Sequence, residues 1–264
     1  MCVLAHPDDE SLGMGGTLAK YASEGIETYL LTATRGERGR FGEAKESPGL
    51  AVVGKTREAE LRAAAEELGL REVQFLDYLD AELDQADPLE AITRIVTHLR
   101  RVKPHVVLTF GPEGAYGHPD HIAISQFTTA AIACAADPGF PDAANSAAEA
   151  HRVSKLYYLA WSKGKWDAYQ AALKKLTSTV DGVERQAVPW PDWALTTIID
   201  TRRFAAQVWR AVSCHKTQMA TYKKLADLPK SHHNSLWGSQ EFYRALSSVN
   251  GGRGLETDLF EGLR

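Results

Sequence analysis

The sequence predicts an α/β fold, a Rossmann-like three-layer α/β/α sandwich on a mostly parallel sheet. Three observations carry this. Short apolar runs alternate with helical patterns in the order β-α-β-α-β-α-β-α over the first 135 residues. The strand candidates are rich in β-branched and apolar residues rather than alternating, as expected of strands buried on both faces. Glycines stop the helices where a left-handed residue is needed.

Element by element, Cys2–Ala5 reads as a buried strand and Ser11–Ser23 as a helix closed by Gly25. Glu27–Ala33 is a second strand, and Arg35 to Gly54, without hydrophobic period, reads as a long loop of the kind that carries function. Thr56–Leu68 is a helix stopped by Gly69, Val73–Leu76 a strand, and Pro88–Arg101 a helix capped by Asp87. Val106–Phe110 is a strand, followed by the glycine-rich GPEGAYGHPDH and a helix from His121 to Ala135. Beyond a Pro-rich loop (DPGFPDAANS), the sequence predicts a strand KLYYLAW, a helix from Trp166 to Leu176, a strand LTTIID and a helix from Arg202 to Leu225. No repeat or linker divides the chain. It reads as one domain over 1–264, with a motif-bearing core at 1–135 and a sheet extension with rim loops at 136–264.

Composition narrows the function. With 264 residues, 44% of them hydrophobic, and a formal net charge of -4, the chain has material for a sizeable core and lacks the basic stripe of a nucleic-acid binder. Three scattered cysteines, Cys2, Cys134 and Cys214, imply no disulfide framework and a reducing, cytoplasmic setting. No apolar stretch reaches the ~18 residues of a membrane span. Self-association into a homo-oligomer is left open.

Two stretches emerge from strand ends, where open parallel sheets bind ligands. They are His6-Pro7-Asp8-Asp9 and His118-Pro119-Asp120-His121, each with polar residues at i and i+3. Hydrolytic zinc takes three His or carboxylate ligands and keeps one position open. His6, Asp9 and one histidine of the second cluster supply that set, and Asp8 beside them is a candidate general base. Gly13-Met14-Gly15-Gly16 lacks dinucleotide-binding spacing, and acidic side chains occupy the phosphate turn. Small residues there let a helix lie close to the sheet or to the metal site.

Ala5-His6-Pro7-Asp8-Asp9-Glu10 together with Tyr116-Gly117-His118-Pro119-Asp120-His121 resembles the LmbE-like, or PIG-L, zinc-dependent N-deacetylases. Thr34-Arg35-Gly36-Glu37-Arg38-Gly39, Arg57-Glu58, Phe75-Leu76 through Asp80, and His215-Lys216-Thr217-Gln218 add to the resemblance. It implies zinc held by His6, Asp9 and His121 (one ion per chain, Fe(II) as the alternative metal). It also implies Asp8 as general base, His118 as a second polar catalytic group and Tyr116 assisting the oxyanion. The expected substrate is a small amino-sugar conjugate of the N-acetylglucosamine type, losing its acetyl group. Glu37, Arg57 and Asp80 are candidate substrate-binding residues at the rim, and Glu10 and Asp120 are candidates for orienting a ligand histidine. Only four residues precede Ala5, fewer than in most family members, which predicts a short first strand.

Three rival readings accompany this one: an amidase of a larger thiol-sugar conjugate, a non-haem Fe(II) oxygenase using the same triad, and a non-catalytic sugar-binding domain. The oxygenase leaves Asp8 without a role. Trp161, Trp166, Trp190 and Trp193 fall in one stretch and suit either sugar stacking or packing under late loops.

Overall fold

A computed structural model describes residues 1–141, 149–173, 177–180, 182–186, 188–252 and 254–264. The chain runs through β1 (Cys2–Leu4), α1 (Asp9–Ser23), β2 (Tyr29–Thr34), α2 (Leu50–Leu68) and β3 (Glu72–Tyr78). It continues through α3 (Pro88–Val102), β4 (Val106–Phe110), the short turn α4 (Gly114–Gly117), α5 (Pro119–Ala135) and β5 (Lys155–Leu159). Then come α6 (Lys163–Leu173), a small hairpin of β6 (Ser178–Val180) and β7 (Val183–Arg185), and β8 (Thr197–Asp200). The last elements are α7 (Ala205–Cys214), α8 (Met219–Ala226), α9 (Lys230–Trp237) and β9 (Ser239–Ser247).

A seven-stranded sheet has the order β3-β2-β1-β4-β5-β9-β8. β1 to β5 pair in parallel, and of the seven strands β9 alone runs antiparallel, between β5 and β8. Helices α1, α2 and α7 pack together on one face, and α3 and α5 on the other. The predicted α/β sandwich is thus borne out. β1 is central and buried along its length, which explains its purely apolar Cys-Val-Leu sequence. The chain winds from β1 out to β3, then returns to β4 on the other side of β1. That reversal opens a crevice at the carboxyl ends of β1 and β4.

Several elements differ from expectation. α2 begins at Leu50, not Thr56: the β-branched Val52-Val53 and Gly54 weaken the helical signal, but Val53 is fully buried and Gly54 lies against the Glu37 side chain. The expected helix from Arg202 to Leu225 is a 3-10 turn at Arg202–Phe204 followed by α7 and α8, broken at His215, whose ψ of 61° is non-helical. α6 starts earlier than expected, at Lys163, and the expected end at Leu176 lies outside the described residues, as does part of the Pro-rich loop. β9 has no counterpart in the sequence reading. Its Gln240, Glu241 and Arg244 interrupt any apolar pattern.

The glycines of α1 serve close packing, Gly13 against the sheet as expected and Gly16 against the loop after β8. A Cβ on Gly16 would come within 2.6 Å of Thr201, and one on Gly13 within 3.1 Å of Leu159. β9 also reaches this helix. The Gln240 amide accepts from the Thr17 N–H (2.6 Å) and donates to the Gly13 carbonyl (2.9 Å), groups one helical turn apart. Among the described residues, no helix is long and apolar enough to cross a membrane.

Candidate metal centre and active site

Both histidine clusters sit on constrained turns. After β1 the chain turns at Asp8, whose φ of 111° lies in the left-handed half that a side chain rarely adopts, at a cost of about 1–3 kcal/mol. The turn is held from three sides. The Asp8 N–H donates to Glu10 Oε2 (2.9 Å), Arg57 Nη2 donates to the Pro7 carbonyl, and the His6 N–H donates to Asp9 Oδ2 (2.8 Å). After β4, Gly114 (φ 64°), Ala115 (φ 62°) and Gly117 (φ 85°) reverse the chain, and His118 caps α5 by accepting the Asp120 N–H at Nδ1 (3.2 Å).

These turns bring His6, Asp9 and His121 together. His6 Nδ1 lies 3.2 Å from His121 Nε2 and 3.7 Å from Asp9 Oδ2, and His121 Nε2 lies 3.4 Å from Asp9 Oδ1. Ligands held about 2.0–2.1 Å from a tetrahedral ion are spaced roughly 3.3–3.4 Å apart, so the donor set fits a zinc-sized ion. His6 is aimed from behind: its Nε2 lies 3.0 Å from Asp120 Oδ2 and 3.1 Å from Asp80 Oδ1. Asp120 is itself fixed by the Ala81 and Leu83 N–H groups (2.8 and 3.2 Å). A proton on Nε2 leaves the Nδ1 lone pair facing His121 and Asp9. His121 stacks on Phe110, ring centroids 3.9 Å apart.

His118 lies within the same cluster, close enough to His6 and His121 for all three to share an ion. Its Nδ1, however, is occupied by a backbone N–H, so the neutral ring carries its proton on Nε2 and has no lone pair to offer there. Burial, then His6 and His121, push its pKa well below the usual histidine range. Burial opposes charge on Asp9 as well, but His121 and His6 hold its carboxyl well below the usual range. Tyr116 lines the same cavity, edge-on to His121 at 5.2 Å, with its phenol pKa raised by burial and by Asp9 and Asp8.

Asp8 is buried beside the donor set. Both its side-chain partners fall on Oδ2: Tyr222 donates at 2.7 Å and Arg57 Nη2 at 3.1 Å. Burial raises its pKa, Asp9 adds to the rise, and Arg57, His215 and Tyr222 oppose it. Tyr222 comes from α8 and was not legible in the sequence.

Two expectations need correction. Glu10 makes no hydrogen bond to His6 or His121. One position further round α1, it accepts from the Asp8 N–H and lies 2.8 Å from His215 Nε2. Glu37 does not line the cavity: its carboxylate accepts the Asp80 N–H (3.3 Å). Arg57 and Asp80 do line it, and each also holds protein groups. Arg57 donates to the Gly36 and Pro7 carbonyls and to Asp8, and Asp80 holds His6 and accepts the Arg38 N–H (3.0 Å). The buried Arg57 Nε has no hydrogen-bond partner among the described residues.

The cavity above the cluster has a volume of about 500 Å³. Beyond the residues already named, its walls include Leu12, Arg38, Leu159, Trp161, Tyr169 and Gln218.

The profile of the PIG-L family, described as GlcNAc-PI de-N-acetylase, matches residues 1–132. The 1D-myo-inositol 2-acetamido-2-deoxy-alpha-D-glucopyranoside deacetylase of Nocardioides sp. is 33% identical over 301 residues, spanning 100% of this chain and 98% of the relative. Its namesake in Rhodococcus erythropolis is 34% identical over 288 residues, spanning 100% and 97%. Among solved structures, a conserved protein from Thermus thermophilus superposes with a TM-score of 0.66 at 26% identity, covering 95% of this chain and 96% of that one. The N,N'-diacetylchitobiose deacetylase from Pyrococcus horikoshii shares the fold, with a TM-score of 0.68 at 19% identity over 92% and 83% of the two chains. With full-length relatives above 30% identity and the family's paired motifs on one crevice, the chain belongs to the PIG-L (GlcNAc-PI de-N-acetylase) family of amide hydrolases acting on non-peptide C–N bonds.

Proposed function

We propose that the protein is a zinc-dependent N-deacetylase that hydrolyses the acetamide of a small N-acetylglucosamine conjugate to acetate and a free amine. The relatives named for a GlcNAc–inositol substrate make that compound the first to test. The observation that carries the reading is the convergence of His6 Nδ1, Asp9 and His121 Nε2 on one point of the cavity wall, with Asp8 alongside. A zinc ion held by His6, Asp9 and His121 would supply Lewis acidity and bring the pKa of a water from 15.7 to about 7.

The chain's own residues divide the remaining work. Asp8 takes the water's proton at Oδ1, since Tyr222 and Arg57 engage Oδ2. His118, with its proton on Nε2, and Tyr116, kept protonated by its high pKa, donate to the oxyanion. The departing amine needs a proton. A neutral His118 would have to become an imidazolate to give one, so Asp8 returns the proton it took. Tyr222 holds the base in place from the far half of the chain, so the whole chain acts as one domain. Three unpaired cysteines suit a cytoplasmic setting.

Amine release from the GlcNAc–inositol conjugate is expected from zinc-loaded protein, lost with a chelator and restored by zinc. Turnover that persists under the chelator would sink the metal-dependent reading. His121→Ala is expected to hold well under one zinc per chain by elemental analysis, and a full complement would remove His121 from the ligands. Tyr222→Phe should keep its zinc and lose about tenfold in kcat, the scale of one hydrogen bond to a charged group. A variant as fast as wild type would show that Asp8 needs no such support.

A further inference from the structure

The four tryptophans clustered in sequence have four different surroundings. Trp166 is buried, with 7% of its surface exposed, and Trp193 is 86% exposed and does not line the cavity. Trp190 donates its indole N–H to Glu113 Oε1 (2.8 Å). Among these four, Trp161 lines the cavity that holds the donor set. One face of its indole stacks on Tyr169, with centroids 4.5 Å apart and rings 15° from parallel. Tyr169 is buried, and its hydroxyl donates to the Leu12 carbonyl (2.5 Å), which ties the stack to the start of α1. Leu12 and Leu159 extend the same wall, so an apolar surface faces a cavity whose other side is polar.

The topology sets the distance. His6 follows β1 and Trp161 follows β5, with β4 between them in the sheet. Two strand spacings make roughly 10 Å along the carboxyl edge. An acetamide held at the metal donors leaves its own pyranose short of Trp161 and brings the next ring of a conjugate onto it. We propose that Trp161 is the stacking platform for the ring attached to the amino sugar. That ring is a pyranose or cyclitol whose C–H face covers the indole, so the protein selects a two-ring conjugate over free N-acetylglucosamine. A pre-packed aromatic face favours such a ring because no side chain needs to be ordered on binding. The inference rests on the deacetylase reading, and it predicts which part of the substrate that site reads.

The test uses zinc-loaded wild type, Trp161→Leu and Trp161→Phe, with the GlcNAc–inositol conjugate and free N-acetylglucosamine. Trp161→Leu is expected to raise KM for the conjugate roughly tenfold, to leave kcat within about twofold, and to leave kcat/KM for the free sugar unchanged. Trp161→Phe, which keeps an aromatic face, should recover most of the loss. Equal losses on both substrates, no loss on either, or no recovery with Phe would overturn the proposal. Conjugate binding by calorimetry separates this idea from the reaction itself. If wild type binds without turnover and Trp161→Leu binds tenfold more weakly, the platform stands and the deacetylase reading falls. Binding unchanged by the substitution, or no binding to wild type, overturns the platform.

Discussion

Asp8→Asn protein is expected to take up one zinc per chain like wild type and to deacetylate about 10²–10⁴-fold more slowly, the usual contribution of a general base. The substitution isolates proton transfer from everything else at this position. Asparagine tolerates the left-handed backbone that Asp8 adopts at φ 111°. Its amide oxygen can accept from Tyr222 and Arg57 as Asp8 Oδ2 does. Its Nδ2, however, occupies the place of Oδ1 and cannot take a proton. Amine-release kinetics paired with elemental analysis read the two quantities separately. Unchanged kcat removes Asp8 from the role of base, whereas lost zinc moves it into the ligand set.

Glu256→Ala is expected to destabilise the fold by about 3–5 kcal/mol, the scale for removing one partner from a buried ionic cluster. Glu256 is 1% exposed and gathers five side-chain donors at 2.6–2.8 Å: Lys155, Tyr157, Thr197, Arg244 and Asn250. Without the carboxylate, Lys155 remains fully buried with its charge uncompensated. Thermal unfolding should show a fall in Tm of roughly 6–20 °C. Lys155→Met combined with Glu256→Ala should be less destabilised than Glu256→Ala alone, because no lysine charge is stranded. Burial opposes ionisation of Glu256, but these donors hold its pKa near 2 against an ordinary 4.5. With the folded value depressed, this stabilisation is complete above about pH 4.5 and drains away as pH falls toward 2. A variant with wild-type acid stability would contradict the assignment.

The first half of this molecule is readable because β1 and β4 are short runs rich in apolar and β-branched residues and the helices between the strands have recognisable starts or stops, such as Asp87 and Gly69. The candidate metal ligands are readable for a related reason: in a parallel sheet, the segments that carry His6 and His121 have to emerge near the carboxyl ends of β1 and β4, whatever the rest of the chain does. What stayed hidden depends on contacts between distant segments. Tyr222 reaches Asp8 because the helical run breaks at His215; Ser213-Cys214-His215-Lys216-Thr217 is a weak helix-forming stretch, but the contact across the fold that uses the break cannot be read from it. Glu10 and Asp80 carry the right chemistry for the roles expected of them. Which way a carboxylate points from a turn is decided by its donors, His215 for one and Arg38 and His6 for the other. β9 escaped because a strand between two others can place Gln240 and Glu241 against buried polar partners and lose its alternation.

The Gln240 wedge in α1 has a consequence for the order in which the protein becomes functional. On a ribosome, the helix that carries Asp9 emerges among the first residues made, while the amide that bridges its Gly13 and Thr17 is synthesised more than two hundred residues later. β5 likewise waits with an open edge until β9 arrives, a stretch open to mispairing in the interval. A nascent chain that already contains His6, Asp9 and His121 therefore lacks both the Gln240 bridge in α1 and Tyr222 beside Asp8. The support for the helix that carries Asp9 and the support for Asp8 are both supplied by the last quarter of the chain.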